Sequence, residues 1–325
     1  MKKIGFVIPY FGKLPQKGFE LWLLSCDKNP TIDWLLYTDD KTQYKYPSNV
    51  IVRYCTLQDI KERAQKCFDF EITLEKNRKL CDFKAAYGEI FADDLKEYDF
   101  WGYCDVDLVW GNMRKFLTDD ILNKYERIGY QGHCLLYKND KIVNTRYRSI
   151  IDGVTNYRTV FTDPGEFCFD ENGMDDIYNE LAIPYYQETN FAHLNKYDYG
   201  FFLGHLPKSE DYKNKHQVFT WNEGTLLRKY VNQGKIETEE FMYIHFFCRP
   251  IQFKFKNCRD TDGFIIYADA VENYTGEIDS GYIVKHSKNS AFHYYTSSIW
   301  YNRKKLTPKR IWLNVKRMVQ HKILR

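Results

Sequence analysis

The feature that most constrains this chain is a series of apolar, strand-like runs in its first hundred residues, separated by stretches of helical period. Lys3 to Pro9, Trp34 to Thr38, Val50 to Tyr54 and Phe100 to Cys104 are apolar or aromatic nearly throughout, not alternating with polar residues. Runs of that kind suit strands covered on both faces. Between them, Phe19 to Cys26 and Leu57 to Lys66 carry helical spacing. Leu80 to Leu95 predicts one longer helix, with Phe83, Ala86, Tyr87, Ile90 and Phe91 on one face. Strands alternating with helices predict βαβ units, hence an α/β fold with a mostly parallel sheet. Ligands of such sheets bind beyond the carboxyl ends of the strands. The second and fourth runs end there on acids, Asp39-Asp40 and Asp105-Val106-Asp107, so these four carboxylates are expected along one edge.

After Asp107 the pattern is less regular. Gly132 to Lys138, Val218 to Trp221 and Tyr243 to Phe247 predict strands, and Lys141 to Ile150 and Gly173 to Leu181 predict helices. From Trp300 onward there are nine Lys and Arg and no acid, leaving 38 basic against 44 acidic residues in the preceding body. Thr307 and Pro308 suit a helix start. Ile311, Trp312, Val315, Met318, Val319 and Ile323 then form an apolar stripe opposite a basic face. A basic amphipathic helix of this kind is expected to bind an anionic membrane surface through residues 303–325. The competing expectation is a helix packed on the acidic body.

Several function classes are disfavoured. Nine scattered cysteines without a CxxC pair argue for reduced, mostly buried thiols, not a disulfide scaffold or zinc site. No run approaches the roughly 18 apolar residues of a membrane span, and the first apolar run stops at Pro9 without a cleavage signal, so the chain is expected to be soluble or peripheral. Basic residues concentrate in the tail without a basic groove elsewhere, against nucleic acid as a partner. A nucleotidyltransferase stays open as an alternative, although no GxxxxGK[ST] loop occurs. A non-catalytic carbohydrate-binding or scaffold protein is the other alternative. The aromatic share of 18% suits sugar or base stacking but decides nothing alone.

The Asp-Val-Asp segment carries the chemistry. In an extended stretch, residues two apart face the same way, so Asp105 and Asp107 are expected to point together with Val106 turned inward. Two such carboxylates supply hard oxygen ligands for Mg²⁺ or Mn²⁺. A cation held there neutralises the charge that grows on a leaving nucleoside diphosphate. The acid pairs Asp93-Asp94, Asp119-Asp120 and Asp260-Thr261-Asp262 are expected to be solvated caps and turns.

The segment from Tyr98 to Leu117, Tyr-Asp-Phe-Trp-Gly-Tyr-Cys-Asp-Val-Asp-Leu-Val-Trp-Gly-Asn-Met-Arg-Lys-Phe-Leu, resembles the metal-site strand and following turn of GT-A glycosyltransferases. It is most similar to the glycogenin-like and Och1-like branches. Ile8-Pro9-Tyr10-Phe11-Gly12, Asp33 to Asp40, Leu80-Cys81-Asp82-Phe83-Lys84, Gly132-His133 and Ile244-His245 resemble a bacterial glycosyltransferase family of surface-polysaccharide clusters.

The resemblance implies a GT-A domain over residues 1–300, with a nucleotide-sugar half at 1–117, an acceptor half at 118–300 and the tail from 301. It implies His245 as third metal ligand and Arg249 as phosphate contact, although Arg stands where the family has Lys and a Gly is missing between them. Pro9, Tyr10, Phe11, Asp39 and Asp40 fall where the family holds base and ribose. Asp82 and Lys84 fall on the helix leaning over the donor, with Asp105 also touching it. Asp170, and Glu171 second, occupy the region of the acceptor base, which an inverting enzyme needs near its working pH. His133 and Trp221 are further sugar-contact candidates. The implied activity is transfer of a hexose from a nucleotide-sugar, UDP-linked, to a glycan or lipid-linked oligosaccharide in capsule, O-antigen or related synthesis. It implies a cytoplasmic enzyme, peripheral at the inner face of the cell membrane.

Overall fold

The structure is a computed structural model that describes residues 1–194, 216–247, 251–255, 257–260, 263–273 and 276–287. Its first sheet contains β1 (Ile4–Tyr10), β2 (Ile32–Thr38), β3 (Val50–Tyr54) and β4 (Phe100–Cys104), all parallel in the order β3-β2-β1-β4. The expected α/β class therefore stands. Two antiparallel strands extend the sheet beyond β4, first β7 (Cys134–Lys138) and then β6 (Arg127–Gln131).

The apolar runs are explained by two cores. Val7, Leu35, Trp101 and Tyr103 point to one face, against Ile60 and Ala64 of α2 (Leu57–Gln65) and the segment carrying Phe83, Tyr87 and Phe91. Phe6, Ile8, Trp34, Leu36 and Cys104 point to the other, against Phe19, Trp22 and Leu23 of α1 (Gln16–Asp27). A strand sandwiched this way has no face left for polar residues.

Residues 80–95 differ from the single helix expected. They form short helical pieces, Leu80–Phe83, Tyr87–Ile90 and Ala92–Leu95, with a tighter 3₁₀ turn at Lys84–Ala86. The tightening falls at Lys84, whose ammonium is drawn to the Gly132 carbonyl at 2.8 Å. The helix expected over 141–150 is likewise short, Lys141–Asn144 followed by a turn at Arg146–Arg148.

The second half holds more strand than its sequence suggested. A three-stranded sheet has the order β5 (Leu108–Trp110), β12 (Tyr243–His245), β8 (Phe191–His193). A six-stranded sheet contains β9 (Gln217–Asn222), β10 (Thr225–Asn232), β11 (Lys235–Phe241), β13 (Gln252–Lys254), β14 (Gly263–Ile266) and β15 (Ala270–Asn273). Its order is β11-β10-β9-β14-β15-β13, antiparallel except between β13 and β15. Glu223-Gly224 and Gln233-Gly234 close the β9–β10 and β10–β11 hairpins, with φ of 47° and 86°, then 49° and 79°. Two successive positive φ values give the two-residue turn that matches strand twist.

Candidate functional site

The Asp-Val-Asp segment is where the chain leaves the first sheet for the three-stranded one. Asp105 N–H still donates to the His133 carbonyl at 2.9 Å, continuing the β4–β7 ladder. Asp107 C=O accepts from Phe246 N–H at 3.0 Å, opening the β5–β12 ladder. The segment is consequently a bend, not the extended stretch expected, because one strand cannot stay in register with both sheets. Val106 is buried at the bend while both acids stay partly open to solvent.

Strand pairing brings in the third group. β12 runs antiparallel to β5 with His245 opposite Leu108, the residue after Asp107. His245 Nε2 lies 3.3 Å from Asp107 Oδ1 and 3.8 Å from Asp105 Oδ2. The ligand atoms of Asp105, Asp107 and His245 all fall within 4.8 Å of one another. Two anionic oxygens and one imidazole suit a divalent cation of the Mn²⁺ or Mg²⁺ class, Mn²⁺ tolerating the nitrogen better.

Behind Asp105 lies a second charged layer. Lys84 Nζ is 3.2 Å from Asp105 Oδ1 and 3.6 Å from Asp170 Oδ2. Burial works to lower the Lys84 pKa, but Asp105 and Asp170 together hold it well above the ordinary lysine range. Burial raises the Asp170 carboxyl; Lys84 opposes this, and the nearby charges of Glu171 and Asp105 add to the rise, leaving it pushed up to about 7. Gly132 joins the groups: its carbonyl accepts from Lys84 and its N–H donates to Glu171 at 2.7 Å. A Cβ there would stand 2.6 Å from Glu171 Cγ and 2.7 Å from Asp170 Oδ2, so only glycine permits this approach.

Asp82, expected to lean over the donor, is turned inward instead. It is buried, and its carboxylate accepts from Phe167 N–H and Phe169 N–H, each at 3.1 Å, and from Lys79 at 2.9 Å. These bonds bracket Cys168, held at a φ of 53°, a conformation worth on the order of 1 kcal/mol of strain for a non-glycine residue. Asp82 thereby fixes the turn leading into Asp170. Phe169–Gly173 is a wide helical turn, and the helix expected over 173–181 follows it at Met174–Glu180.

The residues expected to hold base and ribose lie at the carboxyl ends of β1 and β2. Pro9 and Tyr10 end β1, and the Tyr10 hydroxyl donates to the Lys13 carbonyl at 3.3 Å. Phe11 is 7% exposed and packs in the core, so its ring is not offered for stacking. Asp39 is exposed, with one oxygen accepting from Gly12 N–H at 2.7 Å. Asp40 is buried and accepts from Leu14 N–H, Lys13 and Thr42. Burial alone would raise its pKa, yet the bonds from Thr42, Lys13 and Leu14 hold it well below the usual carboxylate range. Its carboxylate thus ties down the loop after β1. Trp221 is buried, donating to the Trp110 carbonyl at 2.8 Å. Arg249 and the tail 303–325 lie outside the described residues.

One residue at the site went unnoticed in the sequence. His193, buried on β8, sets its Nδ1 2.9 Å from His245 Nδ1. His133 stacks on His245 with ring centroids 4.2 Å apart, and its Nε2 is 3.1 Å from the Tyr243 hydroxyl. The short run Asn190-Phe191-Ala192-His193 carries too little periodicity to announce a strand.

The chain belongs to the family of unknown function DUF6625, whose model matches residues 6–275. No curated protein matches it. The galactosyltransferase LgtC in complex with donor and acceptor sugar analogs is similar over 78% of this chain and 91% of its own, at 12% identity and a TM-score of 0.38. Mouse xyloside xylosyltransferase 1, apo form, is similar over 76% and 98%, at 11% identity and a TM-score of 0.37. The glycosyltransferase GlyE in Streptococcus pneumoniae TIGR4 is similar over 57% of this chain and 45% of its own, at 14% identity and a TM-score of 0.33.

Proposed function

We propose that this member of the DUF6625 family is a GT-A glycosyltransferase that moves a hexose from a UDP-sugar to a glycan hydroxyl in bacterial surface-polysaccharide synthesis. The observation that carries the reading is the meeting of Asp105, Asp107 and His245 at the seam of two sheets, with Lys84 and Asp170 directly behind. A structural acid cluster has no need of that layering.

Asp105, Asp107 and His245 would hold Mn²⁺ or Mg²⁺, which when bound offsets charge on the leaving diphosphate. Lys84 stays protonated through neutral pH and places a fixed positive charge between Asp105 and Asp170. Asp170, with its carboxyl near 7, exchanges a proton within the working range, as a base for an acceptor hydroxyl must. Glu171 keeps the Gly132 turn seated beside it. Tyr10 and Asp39, at the ends of their strands, are the groups offered to the nucleoside.

A thermal-shift panel of nucleotide-sugars, run with and without Mn²⁺, tests the reading. UDP and UDP-hexoses are expected to raise Tm by several degrees only with the metal present. A panel with no nucleotide response would favour a carbohydrate-binding scaffold and overturn the assignment.

We also propose that the basic tail seats the enzyme on an anionic membrane, bringing it to a lipid-linked acceptor at the inner face. The sequence supports this through its nine basic residues and apolar stripe. The chain shortened by residues 303–325 should lose most of its sedimentation with phosphatidylserine vesicles. Equal sedimentation of both forms would sink the proposal.

A further inference from the structure

Behind the Asp105, Asp107 and His245 cluster is a second imidazole whose place is set by strand register. β8 runs parallel to β12, and the register pairs His193 with His245. Both side chains are buried, at 4% and 3% exposure, and their Nδ1 atoms approach to 2.9 Å. Two ring nitrogens at that distance form a hydrogen bond only when one carries a proton and the other a lone pair. The proton's position is therefore coupled across the two rings.

The other nitrogen of His245 decides the direction. Nε2 faces Asp107 at 3.3 Å and Asp105 at 3.8 Å. To ligate a cation, Nε2 must present its lone pair, which leaves the His245 proton on Nδ1. Nδ1–H then donates to His193, and His193 Nδ1 must accept, with its own proton on Nε2. Without a cation, an Nε2–H donated to Asp107 asks for the reverse arrangement at both rings.

His133 and His193 could be read together with His245 as a second metal site, since their nitrogens also cluster. Ring geometry speaks against that. His133 lies nearly parallel to His245, 4.2 Å away at 26°, and stacks at 22° on His193. Lone pairs lie in the ring plane, so stacked rings aim them side by side, not at one point. Phe247 closes the assembly, its φ of 50° folding the ring to 4.6 Å from His193.

We propose that His193 is a positioning residue for the metal site: its Nδ1 accepts from His245 Nδ1–H and holds the His245 tautomer and ring angle that present Nε2 to a divalent cation. This rests on the metal reading above. Partners of this kind raise ligand basicity and fix ring orientation, and their loss typically costs 10–100-fold in metal affinity.

The experiment is a calorimetric titration of Mn²⁺ into the full chain with UDP present, for wild type, H245A, H193F and H193N. His193→Phe keeps a flat ring against Phe247 and His133 but offers no acceptor. His193→Asn returns an acceptor oxygen near the place of Nδ1. Affinity is expected to fall about 10–100-fold in H193F and to return to within roughly threefold of wild type in H193N. Equal binding by wild type and H193F, with binding lost in H245A, overturns the role of His193 and leaves the metal site standing. A wild type that takes up no Mn²⁺ overturns the metal reading itself and the inference with it. Should H193F fail to fold, ¹⁵N NMR of wild type loaded with Mg²⁺ and UDP decides: a bare, accepting Nδ1 and a protonated Nε2 are expected on His193, and a proton on His193 Nδ1 overturns the proposal while leaving the metal site standing.

Discussion

Asp107→Asn is expected to lower kcat/KM for hexose transfer by about 10³-fold or more and to abolish Mn²⁺-dependent stabilisation by UDP. The substitution keeps the shape of the side chain and removes one of two anionic oxygens from the cluster within 4.8 Å. An amide oxygen is a weaker ligand for a hard cation, and in the proposed reaction the loss falls where a leaving diphosphate needs charge balance. The fold should tolerate the change. Asp107 holds its backbone place through its carbonyl, which accepts from Phe246 N–H, and asparagine leaves that bond unchanged. The metal-free variant should therefore melt within a few degrees of wild type. Persistence of the Mn²⁺-dependent UDP shift in Asp107→Asn would sink the metal-site assignment, whatever happened to turnover.

Asp170→Asn should separate activity from stability. In the proposed role of acceptor base, Asp170 is expected to contribute about 10²–10⁴-fold to kcat, with nucleotide-sugar affinity changed little. In the absence of metal, the same variant should be more stable than wild type at pH 8. A carboxyl pushed up to about 7 keeps its proton longer in the folded chain than in the unfolded one, where it titrates near the ordinary value of 3.8. Across that window the folded state binds more protons, so stability falls as pH rises toward 7 and levels off above it. Ionised Asp170 thus costs the folded state on the order of 4 kcal/mol, reduced by whatever relaxation the site allows. Asparagine carries no such penalty. Lys84 keeps Asp105 and the Gly132 carbonyl as partners when Asp170 loses its charge. Melting curves at pH 5 and pH 8 check this: the advantage of Asp170→Asn should be several degrees at pH 8 and small at pH 5. An advantage independent of pH would show that burial of the carboxylate is not its source.

Lys84 and Asp170 illustrate how the site is built. The expectation from sequence put Lys84 over the donor and Asp170 near the acceptor, as separate contacts. In the structure the two are 3.6 Å apart, joined through Gly132 to Glu171, and the Asp82 carboxylate holds the turn before Asp170. Asp40 and Asp82 look alike to a reader of the sequence, acids at a strand end and on a helix face. Both are instead saturated by backbone N–H groups and a lysine, which is how a buried carboxylate is retained. No local pattern distinguishes a carboxylate aimed at solvent from one aimed at its own loop.

The hairpins of the second half were missed for another reason. Glu223-Gly224 and Gln233-Gly234 are two-residue turns with glycine second, a recognisable signal, but the flanking strands are mixed in polarity. β10 and β11 are only partly buried, so neither a clean alternation nor an apolar run marks them.

By itself the sequence determined the first parallel sheet. The apolar runs of β1, β2 and β4 leave almost no exposed face, and the helical period between the runs supplies the cover for both sides. It also determined that carboxylates stand at the carboxyl ends of β2 and β4, because the apolar runs stop there. Tertiary structure alone decided that Asp105-Val106-Asp107 bends between two sheets. The same pairing decided that β12 brings His245 beside Asp107 and that β8 brings His193 beside His245. The reason is physical: periodicity records which faces of a segment are buried, whereas strand partners are chosen by packing and hydrogen bonding between segments far apart in the chain.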